Sequence, residues 1–188
     1  NPDKIVIGGD KRSIVAVAKL YEFYDQKIPR IYTDLNTAEM IKYANNSALA
    51  TRISFMNEIA NICEKVNVDV VQVAKAIGLD TRIGPRFLNA GIGFGGSCFP
   101  KDVKALLALS KSVGIEPVLL QAVLDINKTQ PYRMVELAKH TLGELQGRKI
   151  AVLGLAFKSD TDDIREASSV PVIKSLLSEG AVVKVFDP

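Results

Sequence analysis

The chain holds 188 residues, 47% hydrophobic and 24% charged, the length and composition of one or two small globular domains rather than of a disordered or fibrous segment. Its 24 basic and 21 acidic residues are interspersed and give a formal charge of +3, so no dedicated nucleic-acid surface is expected. One histidine and two cysteines leave neither a His/Cys metal site nor a disulfide framework, which makes a reducing cytoplasm the expected compartment, and no apolar run reaches the roughly 18 residues of a membrane span.

Asn1-Pro2-Asp3-Lys4 is neither a signal peptide nor an initiator context, and the chain reads as the middle of a longer protein. Lys4–Ile7 is a short apolar run stopped by Gly8 and Gly9, which predicts a buried strand. Asp10 is a candidate N-cap for a helix through about Asp25, and Ile31–Thr33 follows as another strand. Strand, helix, strand is the rhythm of a parallel α/β sheet.

From Ala38 to about Val66, Met40, Ile41, Leu49, Ile53, Met56, Ala60, Cys63 and Val66 recur at helical spacing, and Phe55, Ile59 and Ile62 widen the stripe. A helix with so broad an apolar face must be buried on more than one side. A shorter helix over residues 69–77 takes Asp69 as N-cap, with Gly78 just past its end. Residues 80–99 then form a long ordered loop, and loops of that kind are usually functional. Pro100 sits in the first turn of a helix that runs to Gly114. Pro117 starts a further helix, which Pro131 should kink or break near Gln130, the remainder ending near Gly143. Lys149–Leu153, a turn at Gly154–Lys158, a helix from Ser169 to Gly180 and the strand Val182–Phe186 make one βαβ unit. A two-stranded parallel sheet is too small to be a whole domain.

Three segments carry candidate chemistry. Gly91-Ile-Gly-Phe-Gly-Gly-Ser-Cys98 places four glycines in six residues, so its backbone can approach a ligand closely. Cys98 lies at or just before a helix N-terminus, where the dipole and unpaired N–H groups favour negative charge on sulfur. Lys101 and Lys104 add positive charge, and Asp102 is close enough in sequence to orient or deprotonate a water beside the sulfur. The alternative is a structural cysteine beside a tight turn. Lys42 and Asn46 stand one helical turn apart, where they could hold an oxygen-bearing substrate or form an ordinary solvated helix end. Lys158 follows a βαβ strand end, the place where such sheets bind phosphates or sugar hydroxyls. A surface lysine explains it equally well, and the G-x-G-x-x-G fingerprint is absent there. Cys63 is expected in the core and His140 at the surface.

The run Gly93-Phe-Gly-Gly-Ser-Cys-Phe-Pro-Lys-Asp102 resembles the catalytic cysteine motif of the UDP-glucose/GDP-mannose dehydrogenases. Asn1–Gly9 resembles the end of their NAD domain, Glu39–Asn46 the start of their central dimerisation helix, and Gly154–Ser169 the opening of their nucleotide-sugar domain. The resemblance implies an α/β fold with a central all-α dimerisation domain and pieces of two Rossmann-like parallel sheets at either end. It divides the chain into residues 1–36, 37–146 and 147–188.

It also implies a chemistry. Cys98 is the nucleophile, Lys42 stabilises the oxyanion, and Asn46 and Asp102 place and activate water. Lys42, Tyr43, Ala44, Asn45 and Asn46 line the hexose, as do Asn89, Ala90, Gly91, Ile92, Gly93, Phe94 and Gly95. Phe157 and Lys158 reach the substrate, and Arg82 reaches it from a neighbouring subunit of a homodimer. Cys98, Phe99, Pro100 and Lys101 lie against the nicotinamide half of NAD, and Arg165 contacts the cofactor. Some relatives carry a lysine at the position of Asn89. The implied reaction oxidises the C6 alcohol of a nucleotide sugar such as UDP-glucose to a carboxylate with two NAD. GDP-mannose or a UDP-N-acetylhexosamine is the alternative substrate. A β-hydroxyacid dehydrogenase would share the lysine and asparagine but has no place for Cys98, and an inactive helical dimerisation module is the reading from another class.

Overall fold

The computed structural model describes residues 2–188 and divides into two compact units, one ending at Asn45 and one spanning Asn46–Pro188. Asn1, on which part of the N-terminal expectation falls, lies outside the described residues.

In the first unit β1 (Ile5–Gly8) and β2 (Arg30–Thr33) pair in parallel, Ile5 against Arg30, with α1 (Lys11–Lys19) between them in sequence. Ile5 and Ile7 point into the unit and are buried. Asp10 caps α1 as expected, accepting from the N–H groups of Arg12 and Ser13 at 2.8 and 3.0 Å. The helix stops at Lys19, short of the expected Asp25. Beyond it the backbone continues as i→i−3 turns, and the Arg30 guanidinium donates to the carbonyls of Tyr21, Tyr24, Asp25, Gln26 and Ile28.

The long helix α2 covers Leu35–Lys65, starting earlier than Ala38 because Asp34 caps it: Oδ1 accepts from the Thr37 N–H at 2.9 Å and Oδ2 from the Thr37 hydroxyl at 2.6 Å. In the second unit it is followed by α3 (Val70–Gly78), α4 (Phe99–Ser112) and α5 (Val118–Leu142). Asp69 caps α3 through the Val71 N–H at 2.9 Å. Gly78 is the last residue of α3 rather than the residue past it, and a Cβ there would stand 3.0 Å from the Pro85 backbone. The break expected near Gln130 does not occur, and α5 runs through Pro131. One lost hydrogen bond is outweighed by packing, since Gln130, Pro131 and Val135 are all buried.

A parallel pair, β3 (Lys149–Leu153) and β4 (Val182–Phe186), flanks α6 (Ser169–Ser178) in sequence, with Lys149 against Val182. Two apolar clusters organise the second unit. Ala50, Phe94, Val103 and Val123 join α2, the loop before α4, α4 and α5. Val135, Leu145, Val172, Leu176 and Ala181 pack the βαβ unit onto the end of α5. Each fully buried Val, Leu or Phe among them contributes about 1.5–3 kcal/mol. The architecture is α/β with six helices among the described residues, a long central helix and two small parallel sheets.

Candidate active site

Cys98 is the N-cap residue of α4, exposed, with its Sγ 3.8 Å from the Ser97 hydroxyl. Pro100 follows in the first turn, where its missing N–H leaves no gap in the helix. Four residues beyond Cys98, one helical turn, comes Asp102, whose N–H donates to the Cys98 carbonyl at 2.9 Å. Asp102 is only 1% exposed. A buried carboxylate needs partners, and it has them: Asn46 Nδ2 donates to Oδ2 at 2.5 Å and the Lys101 ammonium pairs with Oδ1. Asn46 and Asp102 are far apart in sequence, and α2 and α4 bring them together.

Three of the four loop glycines have protein neighbours rather than open space. Gly95 lies so close to the Glu166 carbonyl that a Cβ would stand 2.2 Å from it. Gly96, at φ +81°, faces the Phe157 ring at 2.7 Å from its Cβ position, and its N–H donates to the Arg165 carbonyl at 2.8 Å. Only Gly91 of the four has nothing within 4 Å of that position. Gly95 and Gly96 thus let the cysteine loop press against residues 157–167, a role the expectation of ligand contact did not include.

That contact brings Phe157, Lys158 and Arg165 to the loop. Lys158 Nζ sits 5.4 Å from the centre of the Phe157 ring. Arg165 is aimed by Asp163, which accepts from its Nε at 3.0 Å and its Nη2 at 2.8 Å. Those hydrogen bonds hold the Asp163 carboxyl down at about 2, and Asp163, with the nearby Cys98 sulfur, raises Arg165 above its ordinary value. Ile92, Gly93, Gly95 and the segment Leu153–Asp162 line an open cleft of about 980 Å³ at the carboxyl ends of β3 and β4. Asp187, just past β4, accepts from the N–H groups of Leu155 and Ala156 and fixes the turn that forms the cleft floor. An acid placed to receive two consecutive N–H groups leaves no periodic signal in the sequence, and neither does Asp163.

Other expected residues stand elsewhere. Phe94 is buried in the apolar cluster, its ring edge-on to Phe99 at 6.0 Å, so only its backbone faces the loop's surroundings. Phe99 also packs on Phe87 at 6.1 Å. Asn89 and Ala90 line a separate groove of about 450 Å³ along α3. Arg82 is 88% exposed and paired with Asp80, while Arg52 holds the same loop through the carbonyls of Ile83 and Gly84 at 2.8 and 2.7 Å. Lys42 and Asn45 belong to the first unit, where they border a cleft of about 440 Å³ with Lys4, whose ammonium donates to Asn45 Oδ1 at 3.1 Å. Tyr43 and Ala44 precede the same unit boundary. Among the described residues, no cluster of three or more His, Cys, Asp or Glu could hold a metal ion, and no helix is long and apolar enough to cross a membrane.

The chain can be compared with known proteins on this geometry. Residues 36–129 match the family model described as the UDP-glucose/GDP-mannose dehydrogenase family, central domain, and residues 151–188 match that family's UDP binding domain. A UDP-glucose 6-dehydrogenase of Rickettsia bellii is 50% identical over 100% of this chain and 44% of the relative. A UDP-glucose 6-dehydrogenase of Bacillus subtilis is 49% identical over 100% of this chain and 41% of its own length. The chain therefore spans less than half the length of these relatives. Among solved structures, a UDP-glucose dehydrogenase of Pyrobaculum islandicum matches with a TM-score of 0.95 at 45% identity, covering 100% of this chain and 43% of the other. A UDP-D-ManNAc dehydrogenase of Pyrococcus horikoshii matches at 0.84 and 28% identity, over 97% of this chain and 44% of the other.

Proposed function

The chain belongs to the UDP-glucose/GDP-mannose dehydrogenase family, and from that premise we propose that it carries the covalent machinery of an NAD-dependent four-electron oxidation of UDP-glucose at C6. The observation that carries this reading is the buried Asp102, pinned by Asn46 one helical turn behind an exposed Cys98. The higher identity to UDP-glucose dehydrogenases than to the N-acetylhexosamine enzyme favours glucose over the alternative sugars.

Chemistry gives each residue its part. The first oxidation removes a hydride from C6 and a proton from its hydroxyl, the proton passing to water held by Asn46 and Asp102. The aldehyde has no good second hydride to give. Cys98 sulfur adds to its carbonyl carbon, and the π electrons move to oxygen, where the Lys42 ammonium meets the charge. The resulting thiohemiacetal loses its C–H as hydride and becomes a thioester on Cys98. Water, deprotonated through Asp102, attacks the thioester carbon; the C–S bond breaks, sulfur keeps the electron pair, and the carboxylate leaves. Arg165, paired with Asp163 and close to Cys98, and Lys101, paired with Asp102, are exposed cations that would be offered to an anionic dinucleotide. Two NAD, bound one after the other, would each supply the acceptor for one of the two hydrides. Tyr43, Ala44, Asn45, the loop from Asn89 to Gly95, Phe157 and Lys158 hold the nucleotide sugar, and Arg82 reaches it from a neighbouring subunit.

In this reading residues 1–36 close an NAD-binding domain, 37–146 form the dimerisation domain and 147–188 open the nucleotide-sugar domain. A reducing cytoplasm keeps Cys98 available as a thiol. The test uses full-length protein containing this chain, supplied with UDP-glucose and NAD. Two NADH per uronate formed supports the proposal; one NADH per substrate with release of aldehyde, or no turnover, overturns it.

A further inference from the structure

Residues 79–98 form no helix or strand, so their N–H and C=O groups must find partners elsewhere. At two of these residues both groups are taken by side-chain amides from the flanking helices. The Gly91 N–H donates to Asn57 Oδ1 at 2.7 Å, and the Gly91 carbonyl accepts from Gln130 Nε2 at 3.0 Å. Gln130 is itself held by Asn61, whose Nδ2 donates to Oε1 at 3.0 Å. Further along, the Phe94 N–H donates to Asn127 Oδ1 at 2.7 Å, and Asn127 Nδ2 donates back to the Phe94 carbonyl at 2.9 Å. Asn57 is 0% exposed and Gln130 6%, so water cannot replace a partner that is lost.

The surrounding sequence is shaped to the same end. Asn127 and Gln130 are three residues apart on α5 and share a face. Gly93, at φ +104°, lies between the two anchored residues, and a Cβ there would stand 2.8 Å from Asn127 Oδ1. Pro131 has no N–H to give the Asn127 carbonyl, which lies 3.4 Å from the Cβ position of Gly93. Anchoring both groups of Gly91 and of Phe94 fixes the peptide planes on either side of each. The residues between and after them, Ile92, Gly93 and Gly95, are the loop residues that line the large cleft.

We propose that Asn57, Asn61, Asn127 and Gln130 are positioning residues, an amide clamp that sets the backbone of the cysteine loop toward its substrate. What the loop holds rests on the function proposed above; the clamp itself rests on the hydrogen bonds. Apolar packing alone would not require it, since the Phe94 ring is already seated among Ala50, Val103 and Val123.

The test uses the full-length protein. Asn127→Asp and Gln130→Glu keep size and one acceptor but set an oxygen against the Phe94 or Gly91 carbonyl. Gln121→Ala, on the same helix with its amide bonded to Asp125 at 3.0 Å, is the control. Each clamp variant is expected to lower kcat/KM for the nucleotide sugar by about tenfold to a hundredfold, with KM for NAD changed far less. The Gly91 and Phe94 amides should exchange with deuterium about tenfold faster, while the control matches the unsubstituted protein in both readouts. Where the acidic variants do not fold, Asn127→Ser is compared by exchange instead. Unchanged kcat/KM, or activity lost only in step with the folded fraction while loop exchange stays the same, overturns the clamp. Should the unsubstituted protein fail to oxidise any nucleotide sugar, the proposed function falls, and the exchange comparison still decides the clamp.

Discussion

Arg165 owes its direction to one neighbour two residues away. Asp163 accepts from both its guanidinium and its backbone N–H, the latter at 2.9 Å, and these bonds depress the Asp163 carboxyl to about 2. The folded value lies below the unfolded one, so whatever the pair adds to stability is present above the ordinary carboxylate value of about 3.9 and fades as pH falls toward the folded value. Arg165 therefore keeps its orientation across the whole neutral range. Following the Asp163 carboxyl carbon by NMR should give a midpoint near 2, and Arg165→Ala, which removes the guanidinium but keeps the backbone N–H, should raise it toward the ordinary range. An unshifted midpoint in the unsubstituted protein would remove this account of how Arg165 is aimed. Cys98, Asp102 and the glycines could be found in the sequence because residue type and spacing announce them. Asp163, Asp187 and the four amides could not. Their partners are backbone groups of distant segments, and no periodicity records such a pairing.

At the scale of elements, the caps were legible because they are local: Asp10 and Asp69 each bond N–H groups within three residues. The break expected at Pro131 does not occur because the rule for proline weighs one helix alone, whereas here burial of Gln130 and Pro131 holds the helix together. The long helix α2 shows the same limit in reverse. Its expected apolar stripe is only partly buried in this chain: Met56 and Cys63 are buried, together with Asn46, Ser47, Ser54 and Asn57, while Phe55 and Ile62 are 49% and 53% exposed. An apolar row of that kind on a long helix fits a second copy of the same helix better than solvent. The full-length protein should sediment as a dimer or a multiple of one at micromolar concentration, and Phe55→Asp with Ile62→Asp should shift it toward monomer. A monomeric unsubstituted protein would contradict a dimer built on α2.

Part of the candidate chemistry is assembled within the second unit, from segments that sequence order separates. A helix start supplies Cys98, α2 supplies Asn46, and the first turn of α4 supplies the buried Asp102. The turn after β3 adds Phe157 and Lys158 beside a cleft at the strand ends. In the proposed mechanism Cys98 has one task, forming a bond that only the second oxidation needs. Serine in its place can still meet an aldehyde, but its hydroxyl is far less ionised and its ester is a poorer acyl donor than a thioester. The most direct measurement is therefore the mass of protein and products when full-length Cys98→Ser is incubated with UDP-glucose and NAD. The mechanism predicts that steady turnover collapses, leaving aldehyde or a long-lived acyl group on the serine after one slow oxidation. Full four-electron turnover by this variant would show that Cys98 is structural and would contradict the covalent mechanism.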